Sequence, residues 1–351
     1  KLPGSMSASL AALSVAAGAA VLGYVMAGYP LLLGRLARRG RPVQRADVTP
    51  SVTVVVAVRN GERHLGAKLD SILALDYPAD RLAIVVASDG STDGTERIAR
   101  AYADRGVAFV GVPPSGKGAA LNAGIALAAG EIVVLTDVRQ PLARDSLRHL
   151  VSNFADPTVG VASADLVVGA GDTASAQTVG LYRRYETWLR DRLSQRDSMF
   201  GATGAYYAIR RSLCVPFPPD VLLDDMFLPL AAFRRGYRVV CDVRAKAYDE
   251  PTGPRAEFSR KVRTLAGNYQ LLRFHPWLLG PGNRLWGHYV SYKLGRLVLP
   301  FALIAMLVGG ALLPMPWRAV VLAPQLAGYA LALLDVVVPE RTALKRLTAP
   351  A

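Results

Sequence analysis

Five short stretches gather carboxylates, glycines or basic groups at spacings that can do chemistry. Ser88-Asp89-Gly90-Ser91-Thr92-Asp93 lies between a β-branched run and a helical pattern. An acidic, glycine-containing turn therefore joins a strand to a helix, and the Asp89 carboxylate can accept hydrogen bonds from a base or a ribose. Thr136-Asp137-Val138-Arg139 closes a second apolar run. Asp137, at the same sheet edge as Asp89, is a candidate ligand for a divalent cation on a diphosphate, because Mg²⁺ and Mn²⁺ favour carboxylate and phosphate oxygens. Leu222-Leu223-Asp224-Asp225 sets two acids beside an apolar run, which is costly if they are buried unpaired. They can cap a helix from Met226, or one can be a general base with a tuned pKa. Gly201-Ala202-Thr203-Gly204-Ala205 is a small-residue turn that lets a substrate approach the backbone. Arg260, Lys261 and Arg263 suit diphosphate oxygens, or else a solvated or lipid-facing helix surface.

The elements that must position these residues follow from hydrophobic periodicity. Val52 to Val58, Leu82 to Ala87 and Ile132 to Thr136 are runs expected of strands buried on both faces. Helical stretches are predicted over Gly66 to Leu75, Gly94 to Asp104 and Gly118 to Ala129. The alternation implies an α/β domain over residues 51–250, with a mostly parallel sheet covered by helices on both faces. Ligands bind such sheets beyond the carboxyl ends of the strands, which is where Asp89 and Asp137 fall.

Hydrophobic residues make up 52% of the 351 residues, and the excess lies at the two ends. Ser9 to Leu33 is apolar and uncharged, long enough for a bilayer span of roughly 20 residues. Leu297 to Leu313 and Val320 to Val338 read as a helical hairpin broken at Pro314-Met315-Pro316-Trp317. Residues 251–292 mix basic and aromatic residues (Tyr269, Phe274, Trp277, Trp286, Tyr289, Tyr292), the composition of an interfacial segment. Lys1 to Ser5 look like a cloning scar before a start at Met6. The net charge of +14 comes from 41 Lys and Arg against 27 Asp and Glu. Much of the excess flanks apolar runs, at Arg35, Arg38, Arg39, Arg41, Arg45, Arg341, Lys345 and Arg346. That placement fits membrane lipids and a cytoplasmic domain better than nucleic acid, for which no recognition motif is present. The expected topology is N-terminus out, with domain and C-terminus in. Cys214, Cys241 and four dispersed histidines (His64, His149, His275, His288) supply neither a disulfide framework nor metal-ligand spacing.

Taken in order, the segments over Ser51 to Arg263, with the membrane layout, resemble family 2 glycosyltransferases of GT-A fold. More specifically they are similar to the cellulose synthase and hyaluronan synthase superfamily. The resemblance implies that the loop Ala57-Val58-Arg59-Asn60-Gly61-Glu62 lines the nucleotide pocket, with contacts from Ala57, Arg59, Asn60 and Glu62. It implies that Asp89 holds the uridine and that Asp137 binds the metal, Mg²⁺ or Mn²⁺. Asp225 becomes the catalytic base, with Asp224 in the first acid position. Lys117 and Asn122 fall near the donor, and Gly201, Thr203 and Gly204 fall on the acceptor side. Two positions depart from the pattern. Arg139 replaces the second acid of the metal motif and can supply part of the positive charge. In the stretch Arg260-Lys261-Val262-Arg263-Thr264 the arginine of the polymer-synthase motif survives, but Thr264 stands where its Trp would stack on an acceptor sugar.

The activity this implies is transfer of a sugar, with inversion, from a nucleotide-sugar (a UDP-sugar above all) to a lipid-linked or polysaccharide acceptor. The site of action would be the bacterial inner membrane, with the catalytic domain in the cytoplasm. A processive polysaccharide synthase is the first alternative, and Thr264 weighs against it. A non-catalytic scaffold of an export complex is the second, and the retained acids weigh against that. Copies of the chain itself and polysaccharide-assembly proteins are further expected partners.

Overall fold

The computed structural model describes residues 4–169, 174–250 and 254–338. The terminal cluster Arg341, Lys345 and Arg346 lies outside them, as do the first three residues. The chain divides into two units: Lys1–Arg35 with Ala170–Tyr185 and Trp277–Ala351, and Leu36–Gly169 with Glu186–Pro276. At the N-terminus, helix α1 (Gly4–Gly23) passes through a wider turn into α2 (Tyr29–Ala37).

The second unit is built on seven strands: β1 (Val52–Val58), β2 (Leu82–Asp89), β3 (Val107–Val112), β4 (Ile132–Asp137), β5 (Val159–Val168), β6 (Tyr206–Arg210) and β7 (Arg238–Asp249). They form one sheet in the order β3-β2-β1-β4-β6-β5-β7. β3, β2, β1 and β4 are parallel, as is the β5–β7 pair, whereas β6 runs antiparallel to both neighbours. Every residue of β1 is buried, as its continuous β-branched run requires at the centre of a covered sheet.

Helices α3 (Glu62–Leu73), α4 (Thr95–Ala101), α5 (Lys117–Ala126) and α6 (Ser146–Ser152) connect the first strands. α3 buries Leu65, Leu69 and Ile72 completely; each such side chain contributes about 1.5–3 kcal/mol by leaving water. α5 packs close to the sheet because Gly124 has no side chain, since a Cβ there would lie 2.5 Å from Val55. α7 (Ala174–Arg196), α8 (Asp224–Arg234) and α9 (Pro254–Phe274) complete this part of the chain.

Register carries the loops that matter to one edge. Ala57 pairs with both Ala87 and Asp137, so β1, β2 and β4 end together. Because β6 is reversed and Tyr206 pairs with Thr136, the segment 201–205 enters the sheet at that same edge.

Beyond α9, a short helix α10 (Trp286–Tyr289) leads through a wide turn into α11 (Gly295–Leu312), and α12 (Trp317–Val337) follows. Among the described residues, three helical stretches are long and apolar enough to cross a membrane: Ser7–Ala37, Trp286–Leu312 and Trp317–Asp335. The first two expected spans extend several residues further than the apolar runs alone indicated. α1 and α11 approach closely at small residues: a Cβ on Gly18 would meet Met306 at 2.5 Å, and one on Gly309 would meet the Ala11 carbonyl at 3.0 Å. Such small-residue contacts are the usual way apolar helices approach in lipid.

At the end of α9, His275 is buried against Phe227, ring centroids 5.3 Å apart. Burial, with help from Arg234, pushes its imidazole pKa down to about 4. The unfolded chain therefore binds the extra proton between about pH 6.5 and 4. This histidine's contribution to stability is full above that window and is lost as pH falls through it. The melting temperature of the full chain should drop on acidification from pH 7 to 5, and less steeply in His275→Phe. Equal slopes for both proteins would remove His275 as the cause.

Candidate active site

The strand-ending loops assemble the acids by backbone hydrogen bonding. Asp89 is nearly buried, and its Oδ1 accepts from the N–H groups of Ser115 and Gly116 at 2.7 and 2.9 Å. Arg59 reaches its other oxygen at 3.5 Å. Gly116 sits at φ +90°, a conformation that favours glycine, and Lys117 then opens α5. Asp89 thus fixes the start of the helix that carries Lys117.

The Lys117 ammonium lies 2.8 Å from Asp137 Oδ1 and 2.9 Å from Asp224 Oδ2. Burial alone would depress its pKa; the two carboxylates more than reverse that and raise it above the ordinary lysine value. One cation therefore joins the acid at the end of β4 to the acid pair that opens α8. Asp224 and Asp225 occupy the first turn of that helix, where the helix dipole favours negative charge. The glycine-rich segment wraps the pair: the Ala202 N–H donates to the Asp225 carbonyl at 2.7 Å. A Cβ on Gly204 would lie 3.4 Å from the Asp225 carboxylate oxygen, and one on Gly201 only 2.7 Å from Met226.

Several expected site residues hold this framework together. Asn60, at φ +51°, accepts from the Thr92 N–H, and Glu62 accepts from the Gly94 N–H and pairs with Arg97. These contacts bind the loop after Ala57, at the end of β1, to the Asp89 turn. Asn122 exchanges two hydrogen bonds with the backbone of Phe217. Thr203 is fixed by Arg190, whose guanidinium donates to its hydroxyl at 2.6 Å. Arg139 forms an ion pair with the buried Asp249 at 2.9 Å, and Arg260 pairs with Glu257 one helical turn away. Arg263 is exposed on α9.

Three groups at the site escape a motif-based reading. Asp249 receives Arg139 from the far end of β7. The Tyr207 hydroxyl is buried with no hydrogen-bond partner among the described residues; burial first, then the negative charge of Asp224 and Asp225, raises its pKa well above the ordinary value. Lys68 is buried beneath the turn that follows β4. A signal for it exists: a lysine interrupts the apolar stripe Leu65, Leu69, Ile72.

No group of three or more His, Cys, Asp or Glu among the described residues can hold a metal by itself. Asp137 offers one partly exposed carboxylate. That matches a nucleotide-borne Mg²⁺ or Mn²⁺, which takes one or two protein carboxylates and completes its shell with phosphate and water oxygens.

A mostly parallel sheet with an antiparallel strand beside β4, and acids gathered at its carboxyl edge, defines a glycosyltransferase domain of GT-A fold. The segment 53–215 matches the model of glycosyl transferase family 2, so the domain that carries the site is a family 2 glycosyltransferase domain. The β-monoglucosyldiacylglycerol synthase of Synechocystis sp. is 35% identical over 116 residues, 32% of this chain and 24% of that protein. YdaM, a probable glycosyltransferase of Bacillus subtilis, is 26% identical over 242 residues, 64% of this chain and 57% of that protein. The chain thus spans between about a quarter and a little over half the length of these relatives. A mannosyltransferase of Pyrobaculum calidifontis, solved with GDP-Man and Mn²⁺, superposes with a TM-score of 0.72 at 27% identity, covering 97% of this chain and 96% of that one.

Proposed function

We propose that this protein transfers one or a few sugars, with inversion, from a nucleotide-sugar to a lipid-linked or saccharide acceptor at the bacterial inner membrane. The observation that carries this reading is the Lys117 bridge between Asp137 and Asp224. It brings the acid at the end of β4 and the acid pair that opens α8 to a single ammonium, which supports a site with the donor diphosphate on one side and the acceptor on the other. GDP-Man in the Pyrobaculum enzyme supports a nucleotide-sugar donor, and the name of the Synechocystis relative supports a lipid acceptor.

In this reading Asp89 and Arg59 hold the nucleoside, and Lys117 balances charge at the diphosphate. Arg139, fixed by Asp249, adds positive potential beside it. Asp225 takes the proton of the acceptor hydroxyl, whose oxygen attacks the anomeric carbon as the nucleoside diphosphate leaves. A divalent ion held by Asp137 and the donor would supply Lewis-acid neutralisation of the leaving diphosphate.

The same reading places α9 at the lipid surface, as part of the interfacial segment over residues 251–292. Phe258, Val262, Leu265 and Tyr269 follow helical spacing and are 70, 51, 48 and 48% exposed, with Arg260, Lys261 and Arg263 among them. An amphipathic helix of this composition lies in the headgroup region. The apolar helices anchor the domain on the cytoplasmic side. With Thr264 exposed where a stacking Trp would be needed, the product is not held between additions.

The test is to incubate the purified full chain with a panel of UDP- and GDP-sugars and extracted membrane lipids, then size products by mass spectrometry. The expected products are lipids heavier by one or a few hexoses, formed with Mn²⁺ and lost in excess chelator. A ladder of long polymer would replace this reading with that of a processive synthase. Full activity in chelator would remove the metal and leave Lys117 and Arg139 to balance the diphosphate.

A further inference from the structure

Lys68 is 1% exposed and projects from α3 among fully buried Leu65, Leu69 and Ile72. Its ammonium donates to the Thr136 hydroxyl at 2.7 Å and to the Gln140 carbonyl at 2.5 Å. Those two acceptors flank the turn 137–139 on either side. The Thr136 hydroxyl donates in turn to the Ala205 carbonyl at 2.7 Å, and the Asp137 N–H reaches the same carbonyl at 3.3 Å. One buried nitrogen thus fastens the turn bearing Asp137 and, through Thr136, the end of the segment that wraps Asp225. Burying an amine in an apolar stripe is costly unless its hydrogen bonds are made. Packing alone would be met by methionine or leucine.

We propose that Lys68 is a positioning residue for sugar transfer, locking the Asp137 turn to the 201–205 segment so that the donor and acceptor sides of the site keep one geometry. The inference rests on the reading above that Asp137 faces the donor diphosphate and Asp225 the acceptor. Lys68 touches no substrate. It acts by holding the reacting groups, and a displacement of about 1 Å at a reacting centre costs on the order of 10²-fold in rate.

The experiment compares Lys68→Met, Lys68→Arg, Thr136→Val and Thr136→Ser in the full-length protein, with folding checked by circular dichroism and melting temperature. Lys68→Met and Thr136→Val should lower kcat by roughly 10- to 100-fold. Lys68→Arg and Thr136→Ser should each recover at least about fivefold over their partners, because they restore a donor or a hydroxyl. Titration with GDP and UDP should show a larger loss of affinity in Lys68→Met than titration with guanosine and uridine. Values of kcat for both Lys68→Met and Thr136→Val within about twofold of the unaltered protein, a difference too small for a lost buried hydrogen bond, would overturn the inference. If Lys68→Met does not fold, Thr136→Val against Thr136→Ser decides alone, since valine keeps the shape of threonine. If the unaltered protein transfers no sugar, the functional reading fails on its own, and the GDP and UDP titrations still score Lys68.

Discussion

Asp225→Asn is expected to lower sugar transfer by about 10²–10⁴-fold, the usual contribution of a general base, with affinity for GDP or UDP changed by less than about threefold, well under 1 kcal/mol. The amide keeps the shape of the side chain and leaves untouched the backbone carbonyl that receives the Ala202 N–H. Only the ability to take a proton is lost. The loss should therefore fall on kcat at saturating donor. Initial rates and nucleotide titrations on the same preparations check this. Turnover of Asp225→Asn close to that of the unaltered protein would move the role to Asp224 or to a group outside the acid pair.

The second large effect is expected at Lys117. Its ammonium touches Asp137 on one side and Asp224 on the other. Lys117→Met removes the bridging charge while keeping most of the stem, and leaves two carboxylates facing each other across the site. Loss of one preorganised electrostatic group at a developing charge costs about 10²–10³-fold, and kcat/KM should fall by that order. Donor KM should rise as well, because the diphosphate meets more negative potential. Lys117→Arg should restore part of the rate but not the geometry, since a planar guanidinium does not replace a compact ammonium between two acids. Rates within about threefold of the unaltered protein, a difference of well under 1 kcal/mol, would show that the bridge has no part in transfer.

The sheet was legible in the sequence where its strands are buried on both faces. β1 matches its β-branched run residue for residue, and β2 and β4 extend theirs by one or two residues into the acids Asp89 and Asp137. The helix starts were less legible. The sequence pattern predicts a helix boundary at Gly66, yet α3 begins at Glu62 and runs through it. A Cβ at Gly66 would meet only the Tyr102 hydroxyl at 3.8 Å, so that glycine marks no turn. β3 escaped because it is an edge strand in which only Val107 is buried and the other residues are partly or fully exposed, so its sequence lacks the continuous apolar run of a central strand. The reversal of β6 escaped because direction in a sheet depends on tertiary pairing, which no local pattern encodes.

The acids of the site were legible as motifs, but their relations were not. Nothing in the order of residues shows that Lys117 joins Asp137 to Asp224, or that Arg139 is held by Asp249 at the end of the last strand. These contacts arise from register at a common sheet edge. Asn60, Glu62 and Asn122 carry loop-to-loop hydrogen bonds in this structure, a task invisible when each is considered only as a donor-binding side chain.

The central claim is a single displacement in which Asp225 deprotonates an acceptor on the face opposite the departing diphosphate. Its most direct test is the anomeric configuration of the product, measured by NMR after incubating the full-length protein with an α-linked nucleotide-sugar and its lipid acceptor. The account predicts a β-linked sugar in the first product formed. An α-linked product would contradict it, because retention requires either a second displacement or attack from the leaving-group face.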